Sequence, residues 1–101
     1  MIGLLAIFSL AATSRAAETL TPTQRLAALG LTLPAIPPSI ANYVPAVRSG
    51  KLIFLAGQIA RGADGKPLTG KVGRELTEAQ AAEAARTCVL QLLAVLQAEL
   101  G

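Results

Sequence analysis

Apolar and polar positions change their period along this chain, and the changes mark its elements. From Glu78 to about Leu100 apolar residues recur at helical spacing. Ala85, Cys88, Val89, Leu92, Leu93 and Leu96 make a broad apolar face, and Glu83, Arg86, Thr87 and Gln91 lie mostly off it. Thr77-Glu78-Ala79-Gln80 reads as a capping box at the start of this helix, with Leu76 just outside it. From Tyr43 to Ala60 the pattern is that of two strands, about Tyr43 to Arg48 and Lys51 to Ala60, joined by a tight Ser49-Gly50 turn. In the second strand Leu52, Phe54 and Ala56 point one way and Ile53, Leu55 and Ile59 the other. Neither face is polar, which predicts a strand buried on both sides. Pro45 cannot donate to a ladder, so the first strand belongs at an edge or carries a bulge.

Punctuation residues place the smaller elements. Thr21, Pro22 and Gln24 suit the N-cap, N1 and N3 positions of a short helix. Gly30 ends it at the left-handed C′ position, with Leu31 folding back on Leu26 as in a Schellman motif. Pro34, Pro37 and Pro38 make residues 33–39 an extended connector. In the turn-rich segment from Arg61 to Gly73, Asp64-Gly65 predicts a type I′ turn, with a short third strand around Lys66 to Thr69 kept peripheral by Pro67. Ahead of all this, Met1 to Ala12 is an apolar run too short to span a bilayer. Residues 1–20 fit either a secretory signal peptide, with Ser14-Arg15-Ala16 as its cleavage triplet, or an extension; the early segment lacks the Lys or Arg that a leader usually carries. No transmembrane segment is predicted.

Composition narrows the chemistry more than it narrows the fold. With 52% hydrophobic and 15% charged residues the chain is not a disordered one, and its length allows one small domain, residues 21–101. No histidine is present and there is one cysteine, Cys88, which excludes the usual zinc spacings and any Ser-His or Cys-His nucleophile within the chain. Cys88 falls on the apolar face of the long helix and reads as a small core hydrophobe. A net charge of +3 is mild, and the basic residues between Arg48 and Arg74 read as solvated turn positions. With aromatics at 3%, no base-stacking platform is available, so a nucleic-acid partner ranks last among the readings. One feature points to a ligand site. Gly57-Gln58 interrupts an apolar strand, where an amide needs partners and a glycine lets another group approach closely.

Taken in order, Asn42 to Arg48, Gly50 to Leu52, Phe54-Leu55-Ala56-Gly57-Gln58-Ile59, Thr69 to Gly73 and Leu76-Thr77 resemble the reactive intermediate deaminase family, the Rid or YjgF-like proteins, also called L-PSP endoribonuclease-like. The resemblance runs from about Leu29 to Gly101. It implies an α+β, chorismate-mutase-like fold, a mixed sheet with helices on one face, here truncated after the first long helix. It implies a homotrimer with small-molecule pockets between subunits, in which Tyr43, Ala56, Gly57 and Gln58 form part of the wall. The activity implied is hydrolysis of enamine or imine intermediates of the 2-aminoacrylate type to keto acid and ammonia, with no metal and no organic cofactor. Ala56 stands where many members have serine, which removes a hydroxyl. The arginine that grips the substrate carboxylate, and the glutamate tied to water activation, lie in family segments with no counterpart here, since Arg74 and Arg86 fall in the wrong elements. No catalytic residue is therefore identifiable. The alternatives are a non-catalytic ligand-binding or interaction protein on the same scaffold and, third, an RNA-directed activity. An open apolar interface and an unpaired sheet edge predict that the chain alone is poorly soluble or forms irregular oligomers. Location is cytoplasmic by the resemblance, or exported if the first segment is a leader.

Overall fold

The computed structural model describes residues 19–101. The leader or extension expected over residues 1–20, with its cleavage triplet, lies outside the described residues except for its last two positions. The chain divides into two units, one ending at Leu31 and the other running from Thr32 to Gly101.

In the first unit a short helix, α1, spans Pro22–Ala28. Local chemistry fixes both ends as the sequence predicts. The Thr21 Oγ1 accepts from the Gln24 N–H at 3.2 Å, and the Gln24 Oε1 accepts from the Thr21 N–H at 2.8 Å. At the other end Gly30, with φ +68°, lets its own N–H donate to the Ala27 carbonyl and the Leu31 N–H to the Leu26 carbonyl. This is the Schellman pair of bonds.

The second unit is a small α+β arrangement: a two-stranded antiparallel sheet, β1 (Ala46–Ser49) and β2 (Leu52–Leu55), and a long helix, α2 (Glu78–Leu100), that touches β1. Both strands are shorter than the sequence suggests, and Pro45 is the reason. Its carbonyl accepts from the Ala56 N–H at 2.9 Å, but it has no N–H to return the bond, so the ladder stops there. Register runs Ala46↔Leu55, Val47↔Phe54, Arg48↔Ile53 and Ser49↔Leu52. The connecting residues are thus Gly50 and Lys51, one position on from the Ser49-Gly50 turn expected. Gly50 has φ +58° while Lys51 keeps a negative φ, the signature of a type II′ turn.

Beyond Leu55 the chain changes partners. The Leu68 N–H donates to the Ala60 carbonyl at 2.8 Å and Arg61 bridges Pro67, in place of the third strand expected at Lys66 to Thr69. The turn between them is not type I′. Asp64 has no positive φ, and the Gly65 N–H donates to the Gly62 carbonyl while the Gly62 N–H donates to that of Lys66. A three-residue loop closed this way, with Gly65 left-handed at φ +75°, is a type I turn with a bulge. The Asp64 carboxylate accepts from the Lys66 N–H at 3.0 Å, which explains why aspartate suits a position of ordinary φ here.

The Gly70-Lys71-Val72-Gly73 stretch is a folded knot. The Lys71 carbonyl faces the N–H groups of Arg74, Glu75 and Leu76 at 3.1–3.2 Å, and the Glu75 carboxylate accepts from the Lys71 N–H at 2.9 Å. Leu76 leads directly into the Thr77 capping box, whose two bonds to Gln80 measure 2.8 and 3.2 Å.

The buried stripe of α2 differs from the expected one. Gln91, Ala94 and Val95 are buried and Ala84 and Thr87 half-buried; of the expected face Cys88, Leu92, Leu93 and Leu96 are half-buried, whereas Ala85 and Val89 face out. The helix is apolar on nearly every side, so polarity alone does not select the face. Small Ala84 and Ala94 permit close approach, and Thr87 and Gln91 ride in on the same stripe. The sheet is likewise not buried on both sides. Ile53 and Leu55 are half-buried, while Val47, Leu52 and Phe54 on the other face are 53%, 63% and 60% exposed. Among the described residues the buried apolar set is Ala60, Ala94 and Val95. No helix of the described residues is long and apolar enough to cross a membrane.

Candidate functional site

The segment that leaves β2 sets the geometry of the site. Because its pairing to β1 ends with the Ala56–Pro45 bond and pairing resumes at Ala60, residues 57–59 run free of a strand partner and face the connector that precedes β1. That connector cannot curl into helix past Pro37 and Pro38. A tight bend, in which the Tyr43 N–H donates to the Ala41 carbonyl at 2.9 Å, then turns Tyr43 toward the same side. Tyr43, Gly57 and Gln58 thereby line one hollow, with Pro38, Pro45 and Arg61 among its other walls. Three of the four residues expected at a site are brought together. The fourth, Ala56, does not line the hollow; its carbonyl accepts from the Gln58 Nε2 at 3.3 Å. The amide of Gln58 thus finds the partner that burial among apolar neighbours demands, in its own chain two residues back.

From the other side the Gln58 carbonyl accepts from the Cys88 Sγ–H at 3.5 Å, a weak bond that ties the site wall to α2. Cys88 is half-buried, in keeping with its reading as a core residue. Gly57 is exposed, its φ is ordinary, and a Cβ there would meet nothing within 4 Å. Nothing among the described residues requires glycine at that position.

The hollow encloses about 30 Å³, room for about two waters. Small-molecule sites enclose about 300–1,000 Å³, so the hollow by itself is too small to be one. No carboxylate lines it. Among the described residues no group of three cysteine, aspartate or glutamate side chains comes together to hold a metal ion.

Arg61 is the residue that sequence reasoning missed. Grouped by its charge with the solvated turn residues, it proves half-buried. Its Nη1 donates to the Gly65 carbonyl at 2.9 Å, which holds the guanidinium beside the hairpin. It lines the hollow and also a second, larger groove of about 320 Å³ between residues 61–68 and the first turns of α2. Its place three residues after Gln58, directly after buried Ala60, was the available signal.

No family model matches the chain. It is 40% identical over 73 residues to Protein TCP17 of Trypanosoma cruzi, an alignment covering 72% of this chain and 46% of that protein. It is 42% identical to the crystal structure of Atu1372, a protein of unknown function from Agrobacterium tumefaciens, with a TM-score of 0.59 over 75% of this chain and 44% of that one. The chain spans less than half the length of each of these relatives, and over the part it shares with the second the likeness extends to three dimensions.

Proposed function

We propose that residues 32–101 form the N-terminal part of a Rid-like domain of chorismate-mutase-like fold, and that Tyr43, Gly57 and Gln58 are one wall of a small-molecule pocket completed by another copy of the chain in a homotrimer. The reaction proposed for the assembled protein is hydrolysis of enamine or imine intermediates to keto acid and ammonia. The observation that carries this reading is the meeting of Tyr43 with Gly57 and Gln58 in one hollow, although the tyrosine and the pair lie on different strand flanks. The open face of Val47, Leu52 and Phe54 supports it, because a sheet covered by helix on one side and apolar on the other needs a second cover. Gly57 is consistent with it, as an exposed position without a side chain and with open space around its Cα.

Chemically the wall supplies a phenol, an amide and backbone groups that orient a planar C=N substrate. A carboxylic acid to align the attacking water is also needed. None lines the hollow of this chain, so the second reading is a non-catalytic ligand-binding protein on the same scaffold.

Semicarbazide-trapping competition separates the two. An enamine is generated from serine or threonine, and the protein competes with semicarbazide for the product imine. The deaminase reading predicts faster ammonia release by a version extended to the length of the relatives, but not by this chain alone, and Gln58→Ala lowers that rate by about tenfold, the effect of losing one positioned hydrogen bond. Ammonia release that stays at the uncatalysed rate with excess of the extended protein removes the deaminase reading and leaves the binder.

A further inference from the structure

We propose that the groove between residues 61–68 and the N-terminal half of α2 is a second small-molecule site, for a ligand carrying both an ammonium and a carboxylate, such as a free α-amino acid. At about 320 Å³ it is the larger of the two concavities and lies within the range of small-molecule sites. Its chemistry is two-signed. Arg61 lines it from the hairpin and Glu83 from the helix, yet the two do not pair with each other. The ion pair that Glu83 does make, to Arg86 at 3.4 Å, joins two exposed side chains and is of the weak surface kind.

Hydrogen bonds already made decide what each group can still offer. Arg61 spends one N–H on the Gly65 carbonyl and keeps others for a carboxylate. The Gln80 Oε1 is occupied by the Thr77 N–H, which leaves its Nε2 as a further donor. Thr87 donates its hydroxyl proton to the Glu83 carbonyl at 3.1 Å, so its oxygen remains an acceptor toward the groove. Donors thus come from Arg61 and Gln80, acceptors from Glu83 and Thr87. The apolar surface of Leu68 and Ala84 between them suits a hydrocarbon side chain. Arg61 is held by its bond to the hairpin, Gln80 by the capping box and Thr87 by its bond to the Glu83 carbonyl, while the exposed Glu83 carboxylate is ordered on binding.

This site shares Arg61 with the hollow but does not depend on the hollow's function. The test is amide-resolved NMR titration of the full chain with L-leucine, with acetate and methylammonium as single-charge comparators. The expected result is saturable shifts confined to residues 61–68 and 80–87, with L-leucine binding about tenfold or more tighter than either comparator. Glu83→Gln, at an exposed position that leaves the fold intact, weakens L-leucine about tenfold and leaves acetate unchanged. Arg86→Ala does not weaken it, and Tyr43→Phe leaves these shifts in place, which separates this groove from the hollow. Acetate binding as tightly as L-leucine, a Glu83→Gln variant without effect, or no saturable shifts would each overturn the proposal.

Discussion

Phe54 gives the sharpest test of the open sheet face. Fully burying a side chain of this kind contributes about 1.5–3 kcal/mol. Phe54 is 60% exposed, so about 1–2 kcal/mol of that remains to be gained by association. Leu52 and Val47, 63% and 53% exposed on the same face, raise the total to about 3–5 kcal/mol per copy. Phe54→Ala removes its own share, which weakens each contact it makes by about 5-fold to 30-fold. Inside one chain the same truncation loses only the buried minority of the side chain, about 1 kcal/mol, or about 4–8 °C in a melt at high dilution. Sedimentation velocity over a wide concentration range reads the first effect and thermal unfolding the second. The wild-type chain is expected to sediment above its monomer mass of 10.3 kDa, and Phe54→Ala to shift the onset of association to higher concentration. If wild type stays monomeric throughout, or if the variant associates equally well, the face is not an interface and the reasoning fails.

Other substitutions test the local structure. At Gly70, φ is +147° and a Cβ would stand 3.0 Å from the Glu75 Cβ and the Leu76 Cγ. Gly70→Ala should therefore destabilise by about 1–3 kcal/mol, and an unchanged melting curve would refute the close approach. Gln91 is buried with no hydrogen-bond partner for its Oε1. Gln91→Leu is expected to raise stability by about 1 kcal/mol in urea titration, since it removes an uncompensated acceptor; a loss of stability would show that the amide is satisfied.

What the sequence disclosed depended on how local each cause is. Thr21 with Gln24, Thr77 with Gln80, and Gly30 with Leu31 were legible because each bond closes within a few residues. The Tyr43, Gly57 and Gln58 grouping was legible through resemblance, whereas Arg61 was not. Its burial depends on the hairpin that bridges it to Pro67, which a charge pattern does not encode. The strand ends were misjudged because Pro45 terminates not only its own strand but also the pairing of residues 57–59 opposite. Periodicity could not fully orient α2, as an Ala- and Leu-rich helix has several overlapping apolar stripes. The turn at Asp64-Gly65 depended on φ at Asp64, a choice between two turns that the same dipeptide permits.

The central claim is that Tyr43 and Gln58 face a small-molecule ligand. Tyr43 is the one tyrosine of the chain, so 3-fluorotyrosine incorporation places a single fluorine reporter in the hollow. Titrating this protein with a 2-keto acid, the product class of the proposed reaction, should shift the fluorine resonance saturably, and Gln58→Ala should abolish or weaken that shift. A resonance that does not move as the keto acid is raised would contradict the account.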